Sequence, residues 1–319
     1  MIMRKIQFLF LILGVFCLSC SPDIREQKTV FANKPENAKI IVTDIDLFWK
    51  SFDKLMKDTL TNPFESYIKY GSPGVQNFIN DQRIVSAHEL KKLVLSEKEY
   101  YQKVRPSTHN AKDFSKQIKA SFYALEYLYP DAIFPPTYFL IGRTTSGGTA
   151  SDAGLSIGIE IFSDNQISTE YGRPSLDLDL LPFLVSHEII HFIQLDDKSD
   201  DSLLKHCIRE GAADFIAEMI AGEQVKYCNG PNVYSYGEAN LKRLLKEFDN
   251  NKNSSNLSPW LYSKTNDGRP QNLGYWIGYK IVESYYNHHP NKKKAIKEIL
   301  NIKNYTKFYK QSKIENQIH

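Results

Sequence analysis

Apolar residues recur at helical spacing along most of this chain. In "DIDLFWKSFDKLMKD", Ile45, Phe48, Phe52 and Leu55 fall on one stripe, which predicts an amphipathic helix. "SAHELKKLVLSEKEYYQKV" opens on Ser86, a predicted N-cap, with Glu89 three positions later to complete a capping box. "DFSKQIKASFYALEYLYP" is a third helical run, stopped by Pro130. The pattern changes near Phe134-Pro135-Pro136. "TYFLIG" and "GLSIGIEIF" read as strands, separated by the Gly/Ser/Thr loop "RTTSGGTASDA". In the second, Leu155, Ile157, Ile159 and Ile161 form an apolar face, against Ser156, Gly158, Glu160 and Phe162. Helices then resume. "LPFLVSHEIIHFIQL" has Pro182 in its first turn, and "SLLKHCIREGAADFIAEMIAG" runs from a Ser202 cap to a Gly222 stop. "YGEANLKRLLKEFDN", "GYWIGYKIVESYYNHH" and "NKKKAIKEILNI" complete the helical part. Helices, a small sheet and helices again predict an α+β fold.

The N-terminus follows a different pattern. Arg4 and Lys5 precede the apolar run "FLFLILGVFCL", too short to span a bilayer, which predicts a secretory signal over residues 1–19. The run ends in "CLSC", which resembles the lipobox of bacterial lipoproteins with Cys20 as the lipidated residue, although Cys17 stands where leucine is usual. Residues 20–37 are polar and read as a tether, so that residues 38–319 form one domain. Within that domain, 38–130 is helical, 131–222 holds the sheet and the helices of the site, and 223–319 is helical. No Asp follows Cys20, and by resemblance to lipoprotein sorting this implies the outer membrane of a diderm bacterium.

The composition, 42% hydrophobic and 24% charged, is that of a globular protein. The formal charge of +3 falls to +1 once residues 1–19 are removed, and no basic block is long enough to track nucleic acid. The densest basic run, "HHPNKKKAIK", reads as a solvated helix start. Cys207 and Cys228 remain as thiols. A helix from Cys207 to Ala221 rises about 21 Å, and seven residues return at most about 25 Å, so a bridge is strained and separate thiols are expected.

The chemistry lies in "SHEIIHFIQ". On a helix, His187 and His191 stand one above the other and can meet one Zn²⁺, while Glu188 reaches the same cavity from the side to act as base toward metal-bound water. A buried, hydrogen-bonded histidine pair is the bland alternative, but two histidines and an acid in one apolar helix are costly without partners. A third ligand is needed. Asp197 occupies the position used by the metzincins, but that class turns its chain at a glycine. Gln194 stands there, so the helix is expected to continue through it and displace Asp197. Glu210, on the next helix, is the preferred third ligand. Asp214, one turn later, is placed to accept the free N–H of a ligand histidine. His206 reads as a residue of the surface or of the outer rim.

The pattern His187-Glu188-x-x-His191, eighteen residues and then Glu210-x-x-x-Asp214 resembles the gluzincin clan of zinc peptidases. "LPFLVSHEIIHFIQ", "REGAADFIAEMIAG" and "RPQNLGYWIGYKIVESYY" more closely resemble a family of predicted zinc-dependent proteases. That family includes bacterial lipoproteins and is related to the gliding-motility lipoprotein B group. The resemblance implies a mostly helical zincin-like fold with a small sheet beside the HExxH helix. It implies zinc on His187, His191 and Glu210, Glu188 as the base, and a peptide or protein substrate. It also implies an oxyanion donor from a later helix, for which Tyr275 comes first and Tyr279 second. By the same resemblance "GLSIGIEIF" is the edge strand above the zinc. Arg269 reads either as a carboxylate-binding group or as an exposed loop residue. The alternative reading is a non-enzymatic lipoprotein that uses this fold for surface assembly or motility-related binding.

Overall fold

A computed structural model describes residues 31–163, 167–168, 175–196, 198–222, 232–262 and 268–317, and the account below is confined to them. Residues 1–19, expected to be a signal segment, and Cys20, Asp197 and Cys228 lie outside these residues. No described helix is long and apolar enough to cross a membrane. Phe31–Asn37, the end of the stretch read as a tether, is docked. Phe31 packs edge-on against Phe192 at 5.2 Å, Ala32 bridges Phe134, and Pro35–Asn37 forms a 3-10 turn.

After β1 (Ile40–Ile41), α1 (Thr43–Lys57) buries Ile45, Phe48, Phe52 and Leu55, as its spacing predicts. Asp44 and Asp46 in its first turn and Lys54 and Lys57 in its last suit the helix dipole. Two short helices follow, α2 (Phe64–Tyr70) and α3 (Pro73–Asn80). In α4 (Ala87–Ser96) the Ser86 hydroxyl accepts the Glu89 N–H at 3.1 Å, the expected cap. The expected single helix breaks at buried Glu97 and restarts as α5 (Lys98–Asn110). α6 (Ser115–Leu128) ends just before Pro130.

The sheet is mixed, in the order β1-β2-β4-β3, with β2 (Thr137–Leu140), β3 (Gly148–Ser151) and β4 (Gly154–Gly158). β1–β2 and β2–β4 are parallel; β3 runs antiparallel to β4, with Ala150 opposite Leu155. Three expectations are corrected here. The run "GLSIGIEIF" leaves strand geometry after Gly158 and becomes a 3-10 turn over Ile159–Ile161. Its polar face is buried too: Ser156 accepts a bond from Asn77 Nδ2 at 3.2 Å, and Glu160 is fully enclosed. β4 is therefore interior, and the edge strand is β3, which forms inside the stretch expected to be loop.

α7 (Leu181–Ile193) and α8 (Leu203–Ala221) carry the predicted histidine and acidic motifs. Both expected ends of α8 are present: the Ser202 side chain accepts the Lys205 N–H, and Gly222 takes φ +98°. The next expected helix divides at Asn240, whose side chain donates to the Tyr236 carbonyl, giving α9 (Val233–Ala239) and α10 (Leu241–Asn251). α11 (Leu273–His288), α12 (Lys292–Leu300) and α13 (Tyr305–Ser312) follow. α8 and α11 cross with almost no side chain between them. A Cβ on Gly278 would lie 1.7 Å from the Cys207 carbonyl oxygen, and one on Gly211 would lie 2.0 Å from the Gly278 carbonyl carbon. This crossing fixes the segment of α8 that bears Glu210.

Candidate metal centre

Helix α7 is apolar on nearly all sides, so it sits deep and its polar residues must find partners inside. Ser186 donates to Ser121 on α6 at 3.0 Å. His187 and Glu188 are both 7% exposed and face α8 and β3. His187 Nδ1 lies 2.8 Å from Asp214 Oδ1, and a carboxylate at this position makes Nδ1 the protonated nitrogen. His191 Nδ1 lies 2.9 Å from Gln194 Oε1. Because Gln194 Nε2 donates to the Arg209 carbonyl at 2.9 Å, its oxygen is left to accept from His191. Both imidazoles therefore carry their proton on Nδ1 and turn Nε2 toward the same point.

Glu210 occupies the third side of that point. Its Oε2 is 3.1 Å from His191 Nε2 and 3.4 Å from His187 Nε2. Two donors bound tetrahedrally to one zinc at about 2.0–2.1 Å stand about 3.3 Å apart. The three side chains thus have the donor types, spacing and outer hydrogen bonds of a zinc site with one position open. Burial alone would lower the His187 imidazole, but the Asp214 and Glu210 carboxylates hold it well above its usual range. Burial would raise Glu210; the His191 and His187 imidazoles outweigh it and hold this carboxyl well below the usual range.

The centre opens into a cleft of about 720 Å³. Burial raises the Glu188 carboxyl despite the opposing pull of His187, His191 and Arg83. The carboxyl lies against β3, where a Cβ on Gly148 would come within 2.7 Å of its Cγ and Oε1. Tyr275 lines the cleft with its ring stacked near His187, centroids 6.3 Å apart.

The structure places Tyr279 elsewhere. Its hydroxyl donates to Glu218, and it packs on Phe215 and Tyr234 outside the cleft. One turn along α11 moves it past the cleft wall. Arg269 is neither a cleft group nor an exposed one: it pairs with Glu247 at 2.7 Å over the Trp260 ring. His206 pairs with Asp201 at 3.0 Å at the surface. Cys207 is a buried free thiol.

The reason given for passing over Asp197 is also corrected. α7 does not continue through Gln194 but ends at Ile193, with Gln194 at φ −57°, ψ 132°. This turn needs no glycine because φ stays negative. The Gln194 amide then bridges α7 to α8.

Two cleft residues carry no sequence signal of their own. Tyr262, at φ +59°, donates to Glu210 Oε1 at 2.5 Å and is hydrogen-bonded to Tyr275. It is one of 19 tyrosines and lies in a loop. Arg83 follows α3 at a turn where Gln82 takes φ +57°. Its Nε is buried without a hydrogen-bond partner, and the nearest carboxylate, on Asp81, is 3.8 Å away.

Helices packed on a small mixed sheet, with a His-His-Glu cluster in the cleft between them, define an α+β protein with a candidate metal centre. The family model for gliding motility protein GldB matches residues 26–315, and the chain belongs to this family of gliding-motility lipoproteins. No curated protein and no solved structure matches the chain.

Proposed function

We propose that this protein is a zinc-dependent peptide hydrolase of the cell envelope, built on a zincin-like fold of the gluzincin type. The observation that carries the reading is the convergence of His187 Nε2, His191 Nε2 and a Glu210 oxygen, with each Nδ1 held by an acceptor from behind. Bound there, zinc supplies a Lewis acid for the scissile carbonyl and its attacking water. Glu188 takes the proton from that water and passes it to the leaving amine. Its raised pKa and its place beside the cleft suit a group that both accepts and returns a proton. Tyr275 is the donor assigned to the oxyanion, and Tyr262 holds Glu210 in place. An extended substrate pairs with the outer edge of β3, against which the Glu188 side chain packs at Gly148. Arg83, on the cleft wall with its Nε 3.8 Å from Asp81, adds positive charge beside Glu188. Lipidation of Cys20 holds the domain on the outer membrane.

The experiment pairs metal analysis with Glu188→Gln. The reading expects about one zinc per chain in both proteins and hydrolysis of a peptide library by the wild type alone. Equal cleavage by Glu188→Gln would remove the mechanism. The family's gliding-motility description favours a second reading, a non-enzymatic envelope protein that uses this fold for binding or assembly. A metal-free, correctly folded wild type at neutral pH supports that reading.

A further inference from the structure

Residues 292–313 carry eight lysines and a single acid, Glu298. This stretch has a formal charge of +7 in a chain whose total is +3, so the remainder carries −4. All eight lysines are exposed. Lys294, Lys297, Lys303, Lys307 and Lys313 line one groove of about 900 Å³ between the end of α11, α12 and α13, and Lys310 adjoins it. The one acid is already engaged: Glu298 accepts from Tyr285 at 2.5 Å, pairs with His289 at 3.1 Å and lies 3.6 Å from Lys294. Lys297 pairs with Asp131 at 2.9 Å. Lys303, Lys307, Lys310 and Lys313 have no ion pair among the described residues. Ordinary surfaces intersperse both signs; a face of one sign concentrates anions.

The position of this face suggests its occupant. The described fold begins at Phe31, packed on Phe192 near the end of α7. Two residues beyond α7, the Leu195 N–H donates to the Leu300 carbonyl at the end of α12. Asp131, which pairs with Lys297, lies close in sequence to Phe134, the bridge partner of Ala32. The chain thus enters the fold beside the lysine face. Cys20 is eleven residues upstream of Phe31, within about 40 Å of it at full extension.

We propose that the α12–α13 face docks on a membrane surface of anionic phospholipids and acts with the lipid at Cys20 as a second membrane contact. The choice of a membrane over another anion rests on the proposed lipidation of Cys20; the lysine face itself does not. A lipid anchor alone leaves the domain free to tumble. A polybasic face beside it fixes one orientation against the headgroups.

The test is sedimentation of the full chain with phosphatidylcholine vesicles and with vesicles in which about one-third of the lipid is phosphatidylglycerol. The wild type should prefer the anionic vesicles, and the preference should fall as salt rises. Each lysine near an anionic leaflet is worth roughly a factor of five in partitioning. The triple variant Lys303→Gln/Lys307→Gln/Lys310→Gln should therefore lose roughly a hundredfold on anionic vesicles. It should be unchanged on neutral ones and melt with the wild type. Cys20→Ser should lose binding to neutral vesicles and keep the anionic preference. Neutral-vesicle binding unchanged in Cys20→Ser removes the lipid anchor and with it the two-contact proposal. Equal wild-type binding to both vesicles, an undiminished preference in the triple variant, or tighter binding to polyglutamate than to anionic vesicles overturns the proposal.

Discussion

Replacing Gln194 with leucine removes both bonds of the bridge between α7 and α8 while keeping a side chain of similar size. His191 Nδ1 loses its acceptor at 2.9 Å, and the Arg209 carbonyl loses its donor at 2.9 Å. His191 is half-buried, so its ring is then free to rotate or to change tautomer, and Nε2 is no longer held toward Glu210. Loss of the group behind a ligand histidine typically weakens metal binding about 10–100-fold, or about 1.4–2.8 kcal/mol. The Arg209 carbonyl keeps its bond within α8 and loses only this second donor, so the metal-free fold should lose about 0.5–1 kcal/mol. Gln194→Glu separates the two effects. It retains an acceptor for His191 but sets a carboxylate against the Arg209 carbonyl, so zinc affinity should be kept while the metal-free melting temperature falls. The assay is competition against a chromophoric zinc chelator, with thermal melts of the metal-free proteins alongside. If Gln194→Leu binds zinc as tightly as the wild type, His191 is not oriented through Gln194.

Gly278→Ala places a methyl 1.7 Å from the Cys207 carbonyl oxygen, backbone that cannot yield without parting α8 from α11. A loss of about 3 kcal/mol or more is expected in urea unfolding, and a loss below about 1 kcal/mol would show that the helices do not cross so closely. Burial raises the Glu160 carboxyl from 4.5 to about 6 while Oε1 accepts the Thr144 N–H at 2.9 Å. Between these values the folded chain holds a proton that the unfolded chain has released. This group therefore makes the fold lose about 2 kcal/mol as pH rises through that window. Glu160→Gln should flatten that part of the stability–pH curve, and an unchanged slope would contradict the assignment. Tyr275→Phe should lower hydrolysis about 100-fold or more, whereas Tyr279→Phe should leave it unchanged; the reverse order in steady-state kinetics would return the donor role to Tyr279.

The helices of the site were legible because their signals are local. Ser202 and Gly222 bound α8, and a spacing of eighteen residues after His191 sufficed to select Glu210. Asp214 followed from one helical turn. The edge strand was not legible. Gly148–Ser151 is Gly-Thr-Ala-Ser, with no apolar alternation, and its strand form comes from pairing with β4 and from the space that Glu188 needs. Gln194 pointed toward Glu210 for a mistaken reason: the helix ends before it, and its amide links α7 to α8. Tyr262 reaches Glu210 from a loop at positive φ, a tertiary placement that no periodicity encodes. Tyr279 shares the spacing of Tyr275 on α11 but turns to Glu218, between Phe215 and Tyr234.

The central claim is that His187, His191 and Glu210 together hold zinc. X-ray absorption on the zinc-loaded full chain, with metal stoichiometry measured on the same sample, tests it most directly. The account predicts about one zinc per chain, with two imidazole nitrogens and carboxylate oxygen at about 2.0–2.2 Å. It also predicts that Glu210→Ala removes the metal while leaving the fold intact. A folded wild type that takes up no zinc at neutral pH, or zinc that remains unchanged in Glu210→Ala, would contradict it.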